Sequence, residues 1–290
     1  MIRSREQGVA LIQVLLLTTI MSVIAIQFTK TARIQVNTAK DFRDKIQAEL
    51  MLKTAETAVL FELFQNDAYQ IPGKNINGVA WQLGRSFNLN RTTSVEIMPL
   101  NSSLSLTTAP EMYVKTALLA SGVEPENVQG TYNAIADWID VNNFERRGGA
   151  EANAYAEVKP RNGPMQDLTE LMAVKGMTAS IYEKFNKMVT IYTTPSFNPS
   201  FASDELIKAL FNEDIAEQLL EIKIQQGAIN QDSWQRIAGG RFFEFIDFDP
   251  DIQHRVTIRT KVGDVSATET LYVRSQNQNY LSPMVILARY

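Results

Sequence analysis

The chain has 290 residues, 45% of them hydrophobic and 21% charged, with a formal net charge of −4. That is ample apolar material for one large domain or two ordinary ones, and the mild acidity gives no general drive toward nucleic acid or acidic surfaces. With no cysteine, the chain needs no disulfide and tolerates an oxidising compartment, and a single histidine, His254, excludes histidine-cluster metal sites and histidine-dependent triads elsewhere.

The first element is a membrane helix. Arg3, Arg5 and Glu6 form a short charged leader that ends at Gly8. From Val9 to Thr29 no residue is charged, and Lys30 closes the run. About 20 mostly apolar residues span a bilayer core as a helix. Arg3 and Arg5 hold the N-terminus in the cytoplasm and send the rest across. An ordinary signal peptide has a shorter apolar region and then a small-residue cleavage site. Here the run continues without Pro or Gly into more helix, so an anchor is expected. Ala39, Phe42, Ile46, Leu50, Leu52, Val59, Leu60 and Leu63 recur mostly at three- and four-residue steps. At 1.5 Å per residue the whole helix would be a rod of about 80–90 Å. Its first half belongs in lipid or filament and its second half against a domain.

Pro72-Gly73, Asn75 and Gly78 then break the helix. Residues 87–90 and 95–98 read as short strands. A mainly helical stretch follows, with helices expected near 110–120, 127–140, 168–174, 178–188, 203–211 and 213–226, and a long loop at 141–166. The pattern then turns to strands at 241–248, 253–261, 265–274 and 283–289. Gly263-Asp264 forms a hairpin turn between two of them. A long helix against a terminal antiparallel sheet, split by a helical insert, is an α+β plan.

Residues that could carry chemistry concentrate in 137–153. With Asp140 as position one of a calcium loop, Asn142 falls at position three, Phe144 at five and Glu151 at twelve. Those offsets present oxygen ligands in an EF-hand. Position six is Glu145 rather than the Gly that the sharp turn wants, and Phe144 could offer only its carbonyl, so a standard EF-hand is not expected. Two readings stay open: a non-standard, oxygen-lined calcium loop, or a solvated loop in which Asp137 or Asp140 caps a turn.

Several patches together resemble one family. Arg5-Glu6-Gln7-Gly8 before an apolar run resembles the type III signal of prepilin-like proteins. Asp137-Trp138-Ile139-Asp140, with Arg146, Gly148-Gly149-Ala150-Glu151 and Tyr155, resembles the most distinctive motif of the K minor pseudopilins of type II secretion systems. Asn162-Gly163-Pro164-Met165, Asp167-Leu168-Thr169-Glu170-Leu171 and Val174-Lys175-Gly176-Met177 resemble its next block. Phe87-Asn88-Leu89-Asn90 and Phe197-Asn198-Pro199-Ser200 resemble two further patches. Most prepilin-like subunits carry Glu at the fifth mature position; this chain has Gln13 there, which is the pattern of the K member. Asn142 departs from the family's usual Asp, and Phe201 interrupts its small-residue pattern.

The resemblance implies cleavage after Gly8, a methylated Val9, and a pilin-like fold with a helical insert. It implies a calcium ion held by Asp140, Asn142 and Glu151, with Asp137, Asn153 and Asp167 as further candidates. It implies a non-enzymatic subunit of the inner membrane, with its C-terminal domain in the periplasm, at the tip of the pseudopilus. Its partners would be the minor pseudopilins I and J, the major pseudopilin, the assembly platform and prepilin peptidase, with the secretin and exported proteins as further contacts and no nucleic acid. The expected division is a leader at 1–8, a transmembrane part at 9–29, a periplasmic helix and first pilin-like part at 30–109, the insert at 110–226 and the sheet-bearing remainder at 227–290. The alternative is a tip protein of a type IV pilus or DNA-uptake system. The turn at Lys175-Gly176 resembles a helix–hairpin–helix, but Asp167, Glu170 and Glu183 deny it the basic surroundings that phosphate binding needs. No G-x-S-x-G or H-E-x-x-H motif points to a hydrolase.

Overall fold

A computed structural model of the chain describes residues 3–65, 75–239, 245–275 and 284–290, with side chains from residue 10 onward. Helix α1 runs over Arg3–Gln65 without interruption, as the absence of Pro and Gly after Gly8 allows. It contains an 18-residue window of mean hydropathy 2.2 in which nothing is buried, so it is long and apolar enough to cross a membrane. No residue from 10 to 43 is buried; the first is Asp44. From there Leu52, Ala55, Val59 and Leu63 form a stripe at three- and four-residue steps that faces the core.

That stripe packs on an antiparallel sheet. A small ladder of β1 (Asn75–Ile76) and β2 (Val79–Ala80) precedes β3 (Ser86–Asn88) and β4 (Thr93–Pro99). β5 (Leu104–Ser105) and β6 (Val189–Thr190) pair in parallel at the edge of the insert. β7 (Gln253–Val262), β8 (Val265–Ser275) and β9 (Met284–Arg289) complete a five-stranded sheet of order β3-β4-β7-β8-β9. Alternation puts Val95, Ile97, Val256, Ile258, Leu271 and Val273 on the face toward α1. His254 lies in the same alternating row of β7 as Val256 and Ile258 and is fully buried. Four charged groups clip helix to sheet. Lys53 Nζ lies 2.8 Å from both Glu56 and Glu269, and Arg289 Nη2 lies 2.6 Å from Glu56 and bonds Glu269 through Nη1.

Between β4 and β7 sits the insert, with a second core of its own. Its helices are α2 (Glu111–Ser121), α3 (Val128–Ile139), α4 (Ala179–Phe185), α5 (Asp204–Leu210), α6 (Glu213–Gln226) and α7 (Gln231–Ala238). A six-residue 3-10 helix spans Leu168–Ala173. Trp138, Trp234, Phe185, Leu118, Leu171, Leu206 and Leu219 fill its centre. Side-chain caps set several starts: Thr178 for α4, Ser203 for α5, Asn212 for α6, and a capping box of Asn230 and Ser233 for α7.

The sheet-bearing plan expected from the sequence is present; the short strands β1, β2, β5 and β6 add to it, and two larger differences remain. Helix α7 was not expected, although Asn230 and Ser233 three residues apart are a start signal. Residues 245–248 are not a strand: Ile246 makes only an isolated parallel bridge to Phe197. The first half of the strand expected at 241–248, with Phe242 and Phe243, lies outside the described residues, as does the helix break at Pro72-Gly73.

Candidate metal centre

The amphipathic helix α3 presents Ile135 and Trp138 to the insert core, and the same face carries Asp137. Asp137 is fully buried, one residue from Trp138, in the last turn of the helix. Asp140 follows as its C-cap, in extended conformation. Two carboxylates at a helix C-terminus sit against the negative end of the dipole and need compensation. The loop supplies it. Arg146 Nη1 donates to Asp137 Oδ1 at 2.6 Å and also to Asp140 Oδ2. The backbone amides of Arg146 and Ala150 donate to Asp137 Oδ2 at 3.2 and 3.0 Å. Burial of Asp137 is therefore matched by three donors.

Gly148, at φ 78°, turns the chain back toward the helix. Gly149 then passes so close that a Cβ there would collide with the Asp137 carboxylate. The turn delivers Glu151, which is 4% exposed. Neither oxygen of its carboxylate meets a hydrogen-bond donor. Burial pushes the Glu151 pKa up, and the neighbouring charges of Asp137 and Asp140 push it further. One oxygen from each of Asp137, Asp140 and Glu151 lies within 4.8 Å of the others. A cation with bonds of about 2.3–2.6 Å can touch oxygens spread that far apart.

A buried carboxylate with no donor, beside two more carboxylates, lacks positive charge on one side. The donors are hard oxygens with no nitrogen or sulfur among them, which suits Mg²⁺, Ca²⁺ or Mn²⁺. This cluster can hold a metal ion.

The other candidate ligands are placed differently. Asn142 Oδ1 accepts from the Phe144 amide at 2.8 Å, while its own amide donates to Asp140 Oδ1. Asn153 is exposed in the short 3-10 helix Ala152–Ala154. Asp167 caps the 3-10 helix Leu168–Ala173, accepting from the Thr169 amide at 2.7 Å. The Thr169 hydroxyl holds its pKa down. Arg146 was read from the sequence as part of a motif but not as a partner of the aspartates. Gly8 and Val9 lie within α1, and Gln13 is exposed on it.

The rest of the motif braces the loop. Trp138 Nε1 donates to Glu170 at 3.2 Å, and Trp138 meets Tyr155 edge-on at 5.2 Å between ring centroids. Lys175 donates its ammonium to Gly149 O at 2.9 Å and its amide to the Tyr155 hydroxyl. Lys175 is thus tied inward at the hairpin turn.

A family model described as type II secretion system (T2SS), protein K, matches residues 85–194, which takes in the whole cluster. A putative type II secretion system protein K of Escherichia coli is 28% identical over 262 residues, covering 80% of this chain and 79% of its own. The type II secretion system protein K of Klebsiella pneumoniae is 28% identical over 252 residues, covering 77% of each. These matches make the chain similar to type II secretion K proteins over most of its length. Its fold agrees with that of a chain in the crystal structure of the GspK-GspI-GspJ complex from the enterotoxigenic Escherichia coli type 2 secretion system. The TM-score is 0.59 at 15% identity, over 87% of this chain and 98% of that one. The long apolar helix, the antiparallel sheet and the helical insert thus form a pilin-like fold with an inserted helical domain.

Proposed function

We propose that the chain is the K minor pseudopilin at the tip of a type II secretion pseudopilus, a non-enzymatic subunit assembled with minor pseudopilins I and J. The observation that carries this reading is the shared fold with a chain of a GspK-GspI-GspJ complex. The shape of the molecule supports a tip position. A subunit flanked above and below in a filament has no room for the insert, which spans α2 to α7. Helix α1 anchors it in the inner membrane through residues 9–29, and the rest lies in the periplasm. Before assembly, prepilin peptidase removes residues 1–8, and Val9 becomes the methylated N-terminus. The division into a pilin-like part (30–109 and 227–290) and an insert (110–226) needs one shift: helix α7, at Gln231–Ala238, packs Trp234 in the insert core and belongs with the insert. The major pseudopilin and the assembly platform contact the helix, and the secretin or exported proteins meet the exposed tip.

Calcium is the cation that suits the cluster best. Asp137, Asp140 and Glu151 supply hard oxygens, and Ca²⁺ accepts the irregular geometry that loops build, whereas Mg²⁺ demands an octahedron and dehydrates reluctantly. Asn142, Asn153 and Asp167 remain outer candidates, through water or after loop movement.

The test is assembly. A soluble chain starting at Lys30 keeps every buried residue among those described. Mixed with soluble I and J proteins, it should run as a 1:1:1 complex in gel filtration with light scattering. Separate elution of the three at tens of micromolar would overturn the tip-complex reading.

A further inference from the structure

The metal cluster already contains a positive charge of its own. We propose that Arg146 is a resident counter-cation that holds the loop shut when no metal is bound and weakens metal binding in return. The inference rests on the calcium reading above.

The geometry is specific. A single nitrogen, Nη1, bridges Asp137 and Asp140, the two carboxylates nearest the helix end. Both aspartates press the Arg146 pKa upward. Glu151 receives no hydrogen bond from it, only its charge at a distance, and keeps two buried oxygens without a hydrogen-bond partner. Three carboxylates and one guanidinium sum to −2. The guanidinium therefore neutralises part of what would draw a cation, and the remaining charge matches one divalent ion. Without Arg146 the aspartates would repel across a spacing the loop fixes, so the cation-free form depends on it most.

A metal ion would share those same aspartates, with a positive charge beside it. The guanidinium thus favours the cation-free state over the bound one. By linkage, a group that stabilises the free state more than the bound state lowers affinity by the difference. Arg146 is 41% exposed at its side chain, so solvent screens the effect. Its removal should change affinity by about tenfold, or about 1.4 kcal/mol. The Arg146 backbone amide still holds Asp137 after a side-chain substitution, so the cluster keeps part of its frame.

The experiment uses the full chain in detergent micelles, stripped of metal, as wild type, Arg146→Gln and Arg146→Lys. Calorimetry with calcium chloride gives affinity, and melting in chelator gives the stability of the cation-free form. Arg146→Gln should bind calcium about tenfold tighter and melt lower in chelator. Arg146→Lys keeps the charge but lacks the planar fork, so it should fall between. A purely structural arginine would lower the chelator melting point without tightening calcium. Affinity unchanged or weaker in Arg146→Gln overturns the proposal. If that variant folds in neither condition, Arg146→Lys decides, and affinity no tighter than wild type overturns it. A wild type silent at millimolar calcium overturns the calcium reading itself, a result distinct from wild-type binding that Arg146→Gln fails to tighten.

Discussion

One methyl group at Gly149 should dismantle the metal cluster from below. A Cβ there would fall inside the Asp137 carboxylate, with Arg146 O at 3.1 Å behind it. Asp137 is fully buried and cannot step aside into solvent. Its Oδ2 would have to leave the amides of Arg146 and Ala150, which it now accepts at 3.2 and 3.0 Å. Hydrogen bonds to a charged group contribute about 1.5–3 kcal/mol each, and the Oδ1 link to Arg146 can survive a rotation. The expected loss for Gly149→Ala is therefore about 3 kcal/mol. For a domain of this size that is a melting shift of roughly 6–12 °C. Cation affinity should fall with it, since one of the three carboxylates is displaced. Gly163→Ala is the control, because no atom lies within 4 Å of a Cβ there. It should stay within about 0.5 kcal/mol of wild type. Thermal melting with and without calcium, together with calorimetry, measures both effects. Wild-type stability and affinity in Gly149→Ala would refute the close approach of this glycine to Asp137.

Two further outcomes follow from other parts of the molecule. His254 is fully buried, and burial lowers its pKa from 6.5 to about 4. It is neutral in the fold, so its contribution is intact above pH 6.5 and is lost as pH falls through 4, up to roughly 3 kcal/mol. Urea unfolding at pH 5 and pH 7.5 should show a drop that His254→Phe reduces; an equal drop in the variant would exonerate this histidine. At the N-terminus, mass spectrometry of protein extracted from cells with a working prepilin peptidase should find a chain beginning at methylated Val9, and an intact Met1 would contradict that processing.

The fold was largely legible because its signals are local and repeated. Of the apolar positions expected on the helix, Leu52, Val59 and Leu63 lie in the buried stripe while Phe42, Ile46 and Leu50 are exposed, and Gly263 marks the hairpin between β7 and β8. Phe245 misleads because it is aromatic and buried in a turn, packed on Tyr113 of the insert rather than paired in the sheet. Helix α7 is short, and the N3 partner of its Asn230 cap is Ser233, where Glu or Gln is usual. At the metal cluster, loop offsets count residues but do not say which way oxygens face. Asn142 has the right spacing for a ligand, yet it can also close a turn on the Phe144 amide, as it does. Asp137 precedes the loop by three residues, and its place depends on the rotation of α3 fixed by Trp138 in the core. The clearest signal that was available is Gly148-Gly149: two small residues beside a buried acid mark a backbone that must come close.

The insert also sets an order of events during export. The stripe on α1 is covered by β4, β7 and β8, but β7 begins at Gln253, after the whole insert. The first core therefore cannot close until α2–α7 have been made and have crossed the membrane. The insert needs no such wait, since its apolar cluster lies between Leu104 and Phe245 in sequence. Throughout that interval Leu52, Val59 and Leu63 have only the segment up to β4, with Ile76, Trp81, Val95 and Ile97, to cover them. The length of the insert thus sets how long that half-built core must wait for β7 and β8.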